Sequence, residues 1–121
     1  MEQTLNTSWI LWHHSIENKM WDENSYNRLW TIETVEDYWK MVNSWDKCLP
    51  KLSDSMFFVM RKYSDDDIVL PMWEDKYNIK GGYWSFKVSS EKVNDCWNKL
   101  LISLLGEKLC NECDKITGIS C

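Results

Sequence analysis

Nine tryptophans in a chain of 121 residues are more than a core of this size requires. A domain this small buries about two-thirds of the surface its unfolded chain exposes. Two of the indoles stand in polar surroundings. Trp21 lies in Lys19-Met20-Trp21-Asp22-Glu23-Asn24, and Trp73 is followed by Glu74 and Asp75. A core tryptophan usually has apolar neighbours, so both are expected on exposed loops, where they can stack on a ligand or anchor a partner. An indole face is electron-rich and attracts cations, and a base stacked on an aromatic ring gains roughly 1–3 kcal/mol. Glu74 adds a hydrogen-bond acceptor beside the Trp73 ring. Trp9, Trp12 and Trp84 fall on alternating stretches instead, where core packing is expected. His13-His14 reads as a strand end facing solvent, with no catalytic or metal role.

Other chemistries find little support. The net charge of −5 leaves no basic footprint for a long phosphate backbone. If the chain binds nucleic acid, it reads a small piece of it. No Gly-rich phosphate loop, paired catalytic carboxylates or metal-ligand cluster is visible, so neither an enzyme nor a cofactor is expected. Cys110-x-x-Cys113 is a lone pair, with only Cys121 nearby, whereas a structural zinc site wants four ligands. Five cysteines, an odd number, and no secretory signal near Met1–Ser8 point to reduced thiols in the cytoplasm. No stretch approaches the roughly 18 apolar residues of a membrane span.

The elements that must position these residues can be read in order. Ser8–Trp12 is a strand, followed by a polar loop from Ser15 to Asn27 that carries Trp21, and Arg28–Ile32 is a second strand. Thr34-Val35-Glu36-Asp37 starts a helix that runs to about Trp45, with Thr34 as its cap and two acids at the positive end of the dipole. Val35, Tyr38, Trp39 and Val42 form one apolar stripe, while Met41 and Trp45 lie off it, so one side is available to a partner. Ser55–Lys62 is a strand, Ser64–Asp67 a solvated turn, and Glu74–Lys80 a loop before Gly81-Gly82. Tyr83–Val88 alternates as a strand. Ser89 or Ser90 caps a second helix that ends at Gly106, and Lys115–Cys121 begins another strand. The expected class is a single α+β domain over residues 1–121, with a mainly antiparallel sheet backed by helices.

Taken together, these motifs resemble the eukaryotic initiation factor 4E family, the messenger-RNA cap-binding proteins. The resemblance is carried by Trp9-x-x-Trp12, Trp21, Thr34–Trp39, Asn43, Pro71-Met72-Trp73-Glu74-Asp75, Asn78, Gly81-Gly82-x-Trp84, Trp97 and Gly106-Glu107. It implies a curved sheet with a slot on its concave side. There Trp21 and Trp73 would sandwich the 7-methylguanosine base and Glu74 would read its edge, while Trp9, Trp12, Trp84 and Trp97 would be mainly structural. Methylation at N7 makes the base a cation, which strengthens stacking on both indoles. A carboxylate can accept from guanine N1–H and N2–H, a pair of donors that adenine lacks.

The resemblance also implies partners. Besides capped mRNA or 7-methyl-GTP, these are the translation initiation scaffold factor of the 4G type and inhibitory proteins, docking through a helical motif with a tyrosine and a leucine. The matching positions are Val35, Trp39, Ile102 and Gly106, with Asn98 and Lys99 beside them, and Trp39 is the expected anchor. Three departures stand out. Gln3-Thr4 replaces a His-Pro pair, Asn98-Lys99 replaces a leucine and an acid, and Tyr83 stands where the family has an arginine. Lysine in place of the acid implies altered partner choice. The resemblance covers about the first two-thirds of the family domain, and the remaining third carries the basic residues that grip the cap phosphates. Without that grip, affinity is expected to be about micromolar or weaker. Whether the chain is a fragment or naturally short stays open at this stage, as does a role as a protein-interaction module that binds no cap.

Overall fold

The computed structural model describes residues 3–52 and 55–121. Seven main elements follow one another: β1 (Thr4–Ser15), β2 (Asn27–Thr34), α1 (Val35–Cys48), β3 (Ser55–Ser64), β4 (Asp67–Ile68), α2 (Val93–Leu105) and β5 (Gly118–Ser120). The strands form one open antiparallel sheet in the order β2-β1-β3-β4, with β5 also pairing β3. This is the α+β class expected from the sequence. Among the described residues, no helix is long and apolar enough to cross a membrane.

Alternation along β1 divides the interior in two. Trp9 and Leu11 face the helices and pack with Ile32, Phe57 and Val59 of the sheet, with Tyr38 and Met41 of α1, and with Trp97, Leu101, Leu104 and Leu105 of α2. Each large apolar side chain buried there contributes roughly 1.5–3 kcal/mol. Ile10 and Trp12 face the other way and pack with Met60 and Val69. The register from Ser8↔Lys62 to Ser15↔Ser55 runs without interruption, so the two faces are kept apart along the whole β1–β3 ladder.

Helix α1 begins as its sequence dictates. The Thr34 hydroxyl accepts from the Asp37 N–H, and the Asp37 carboxylate accepts in return from the Thr34 N–H, a reciprocal cap. Its buried stripe differs from the expected one. Tyr38 and Met41 are buried, and Val42 and Trp45 pack against the core, while Trp39 points outward. Both stripes satisfy helical spacing. The choice falls on the side where Trp45 meets Phe57, with ring centroids 5.1 Å apart, and donates its indole N–H to the Pro50 carbonyl at 2.8 Å.

Helix α2 starts at Val93 rather than at Ser89 or Ser90, and no side chain caps its first turn. It ends at Gly106 as expected. Tyr83–Val88 forms no strand: no neighbouring strand pairs with it among the described residues, and Trp84 is fully exposed rather than core. Alternation specifies two faces, but a strand also needs a hydrogen-bonded neighbour. Gly118 of β5 is required by close approach, since a Cβ there would run into the Val59 carbonyl oxygen and the Met60 side chain.

Candidate functional site

Two loops leave the sheet with their indoles exposed. The first joins β1 to β2. Within it, Asn18 donates its N–H to the Ser15 carbonyl and accepts the Met20 N–H on its side-chain oxygen. A single 3-10 turn at Glu23–Ser25 follows, pinned by Ser25 donating both its N–H and its hydroxyl to the Asp22 carbonyl. Trp21 stands between these turns and is 52% exposed.

The second loop runs from Leu70 to Gly82 and is built on Asp75 and Asn78. The Asp75 carboxylate accepts the N–H groups of Leu70 and Tyr77 at 3.1 and 2.9 Å. The Asn78 amide donates to the carbonyls of Leu70 and Met72 at 2.9 and 2.8 Å and accepts from the Thr117 hydroxyl at 2.9 Å. Pro71 is buried beneath. The turn therefore projects Trp73, 57% exposed, and Glu74 into solvent. Asp75 and Asn78 belong to the motif that carries the family resemblance, and their part in it is to shape this turn.

The expected indole pair is present on the surface but not stacked on itself. Trp73 lies against Tyr83, with centroids 5.2 Å apart and planes tilted by 52°. Trp21 lies flat against His14, at 3.9 Å and 3°. Among the described residues, Trp21 and Trp73 make no ring contact with each other. Glu74 is linked to the Trp21 side through Tyr26. The Tyr26 ring packs edge-on to His14 at 5.0 Å and to Phe58 at 5.6 Å, and lies 6.2 Å from Trp21. Burial, and after it the negative charge of Glu74, push the Tyr26 hydroxyl above the ordinary phenol range.

His14 corrects an expectation. It is fully buried instead of facing solvent. The signal was present in the sequence: His14 follows Ile10 and Trp12 at steps of two, so it continues their face of β1. His13 falls on the helix side, where its ring meets Phe57 at 5.7 Å and its Nε2 lies 2.8 Å from the Ser55 hydroxyl.

The second group of expected site residues lies on the helices. Trp39 is 51% exposed and Ile102 53%, next to the buried Tyr38 and Leu101 respectively. Val35 and Asn98 are half-buried, and Lys99 and Gly106 are exposed. Trp39, Lys99 and Ile102 are thus exposed on the two helices whose buried residues cover the sheet. Gln3, the first residue of the Gln3-Thr4 departure, stitches the strand start to α1 through its backbone: its N–H donates to Glu36 at 3.0 Å, and its carbonyl accepts from Val35 at 2.8 Å. Cys110 and Cys113 are free thiols in local contact, with the Cys113 sulfur donating to the Cys110 carbonyl.

Residues 4–121 match the family model described as eukaryotic initiation factor 4E. The eukaryotic translation initiation factor 4E of Eremothecium gossypii is 29% identical over 126 residues, covering 98% of this chain and 56% of that protein. Among solved structures, the chain superposes on initiation factor 4E-3 of Ascaris suum in complex with the m7G cap. The TM-score is 0.81 at 26% identity, over 99% of this chain and 66% of that one. It also superposes on initiation factor 4E-3 of C. elegans, bound to the 4E-binding protein Mextli and a cap analogue, with a TM-score of 0.81 at 24% identity, over 99% and 66%. The chain spans little more than half the length of the curated relatives it matches. By the match that runs from Thr4 to Cys121, the chain belongs to the eukaryotic initiation factor 4E family.

Proposed function

We propose that this domain binds the 7-methylguanosine cap of messenger RNA, stacking the base on Trp21 and Trp73 while Glu74 accepts hydrogen bonds from its edge. The observation that carries this reading is the pair of exposed indoles: Trp21 and Trp73 rise half-exposed on separate loops, and the exposed Glu74 carboxylate adjoins Trp73 in the chain. A planar cation entering between the loops meets aromatic faces and a fixed negative charge at once. No catalytic group is needed for this, and the role is binding. Retention on immobilised 7-methyl-GTP tests it. The chain is expected to be retained and released by free 7-methyl-GTP, and Trp73→Ala is expected to abolish retention. A folded wild-type chain that passes straight through the resin would end the proposal.

A second reading has its own support. Trp73 rests against Tyr83, and Trp39 and Ile102 are exposed on the helices. On this reading the domain is a protein-interaction module that occupies the scaffold factor, or an inhibitory protein, and binds no cap. Binding of a tyrosine- and leucine-containing helical peptide without any response to 7-methyl-GTP would favour it.

A further inference from the structure

His14 lies one residue from the end of β1, yet none of its side chain reaches solvent. It shares a sheet face with Ile10 and Trp12 and pairs with Met56 of β3. Its ring is parallel to the Trp21 indole within 3°, with centroids 3.9 Å apart, and the Tyr26 ring stands edge-on beside it at 5.0 Å. Both ring nitrogens are engaged. Nδ1 lies 2.9 Å from the Ser15 carbonyl oxygen and Nε2 lies 2.7 Å from the Met20 carbonyl oxygen. These two carbonyls bracket the loop: Ser15 ends β1, and Met20 immediately precedes Trp21. Each carbonyl only accepts, so each contact calls for an N–H. A neutral imidazole supplies one and an imidazolium two.

The consequences fall on Trp21. One indole face is covered by imidazole, and the side chain stays half exposed, so the opposite face is the one a ligand meets. The carbonyl contacts hold the loop while the stack holds the ring. An exposed indole on an untied loop would lose rotamer freedom on binding, which lowers affinity roughly two- to tenfold for each side chain that must be ordered.

We propose that His14 is the positioning residue of the cap site: it covers the inner face of Trp21 and ties the Trp21 loop to the end of β1, so that the indole meets a cationic purine with one fixed, outward face. This rests on the cap-binding reading above. His14 does not touch the base; it acts through Trp21.

Three variants separate its contributions. His14→Ala removes the ring and both contacts, His14→Phe keeps a ring without the contacts, and His14→Gln keeps a donor without the stack. Two readouts are followed: the affinity for 7-methyl-GTP by tryptophan fluorescence, and the NMR order parameter of the Trp21 indole N–H without ligand, assigned with Trp21→Phe. His14→Ala is expected to weaken 7-methyl-GTP binding about tenfold and to loosen the indole. His14→Phe is expected to recover more of both than His14→Gln. A merely structural residue would lower the melting temperature and leave the order of Trp21 in the folded molecules unchanged, and that outcome overturns the proposal. If His14→Ala does not fold, the Phe and Gln variants carry the comparison, and equal Trp21 order in both overturns it. If the wild-type chain ignores 7-methyl-GTP, the cap reading falls, and Trp21 order alone then decides whether His14 positions the ring.

Discussion

The guanidinium of Arg61 and the carboxylate of Glu107 meet at 2.5 Å, joining the middle of β3 to the residue just beyond the end of α2. Arg61 is almost wholly buried, with its guanidinium 4.2 Å above the Trp9 ring. It also donates to the Thr7 hydroxyl and to the carbonyls of Cys113 and Ile116. One side chain therefore holds together β1, the end of α2 and the segment leading into β5. Glu107 sits at a φ of 57°, a region that favours glycine, and the ion pair helps to hold it there. Glu107→Ala removes the charged partner of a buried cation that keeps its other acceptors. Its expected cost is roughly 2–4 kcal/mol in urea unfolding.

The same pair sets an acid limit on stability. Hydrogen bonding from Arg61 holds the Glu107 carboxyl below its ordinary value of 4.5, against an opposing push from burial. A depressed folded pKa means that the stabilisation is complete above the unfolded value and is lost as pH falls through the folded one. Stability measured from pH 6 down to about pH 2 should show this loss in the wild type. Glu107→Gln should flatten that part of the profile, and a variant that follows the wild-type curve below pH 4.5 would show that the pair contributes nothing.

At the other end of the pH range, the Tyr77 hydroxyl donates to both oxygens of Asp67, each at 2.7 Å, and its pKa is pushed up to about 12. Hydrogen bonding to Asp67 is the main cause. Tyr77 must stay protonated to donate, so this contact persists below the ordinary phenol value of 10.0 and fails as pH rises towards 12. Ultraviolet titration should contain a step near pH 12 from Tyr77, beside the Tyr26 and Tyr38 hydroxyls that burial also raises. Tyr77→Phe should remove that step, and Asp67→Asn should move it down. Persistence of the late step in Tyr77→Phe would assign it to another tyrosine.

Glu74→Gln tests base reading separately from stacking. An amide can accept only through its oxygen, and its NH2 group would face the guanine donors. Loss of charge-assisted hydrogen bonds worth roughly 1.5–3 kcal/mol corresponds to a fall in 7-methyl-GTP affinity of about 10- to 150-fold. Because Glu74 is exposed, the melting temperature should hardly change. Preference for 7-methyl-GTP over a 7-methylated adenine nucleotide should shrink in parallel. Equal discrimination by wild type and Glu74→Gln would remove Glu74 from the site.

Features set by neighbouring residues were legible in the chain, and those set by distant ones were not. The cap of α1 depends on Thr34 and Asp37, three residues apart, and the structure has it as expected. The exposure of Trp21 and Trp73 follows from the polar residues around them. Their ring partners do not: His14 comes from a strand face, and Tyr83 from ten residues further on. Trp84 alternates with Phe86 as a strand residue does, but alternation cannot say whether another strand is present to cover either face. His14 was missed for a different reason. Its position in β1 indicated burial, while its polarity suggested solvent, and two backbone carbonyls outside the strand pattern resolve that conflict. In α1, Trp39 and Met41 competed for the inner side, and packing on Phe57 decided between them.

That decision leaves Trp39 as the test of the helix surface. Its indole is half exposed and stands edge-on to the buried Tyr38 at 5.1 Å, so it is supported from behind and open in front. Truncating a supported aromatic anchor typically costs 2 kcal/mol or more in binding, whereas surface substitutions change folding stability by about 0.5 kcal/mol or less. Trp39→Ala should therefore lower affinity for a helical peptide bearing a tyrosine and a leucine by at least roughly thirtyfold, with little change in melting temperature. Lys99 adds a sign to the experiment. Its charge disfavours a peptide that carries lysine or arginine opposite it, and Lys99→Glu should reverse that preference between otherwise identical basic and acidic peptides. The two substitutions probe different terms, one the apolar anchor and the other the charge that selects among partners. Calorimetric titration of both peptides against both variants separates them. If Trp39→Ala binds as tightly as the wild type, the helix surface is not where such a peptide docks. If Lys99→Glu leaves the peptide ranking unchanged, Lys99 has no part in the choice.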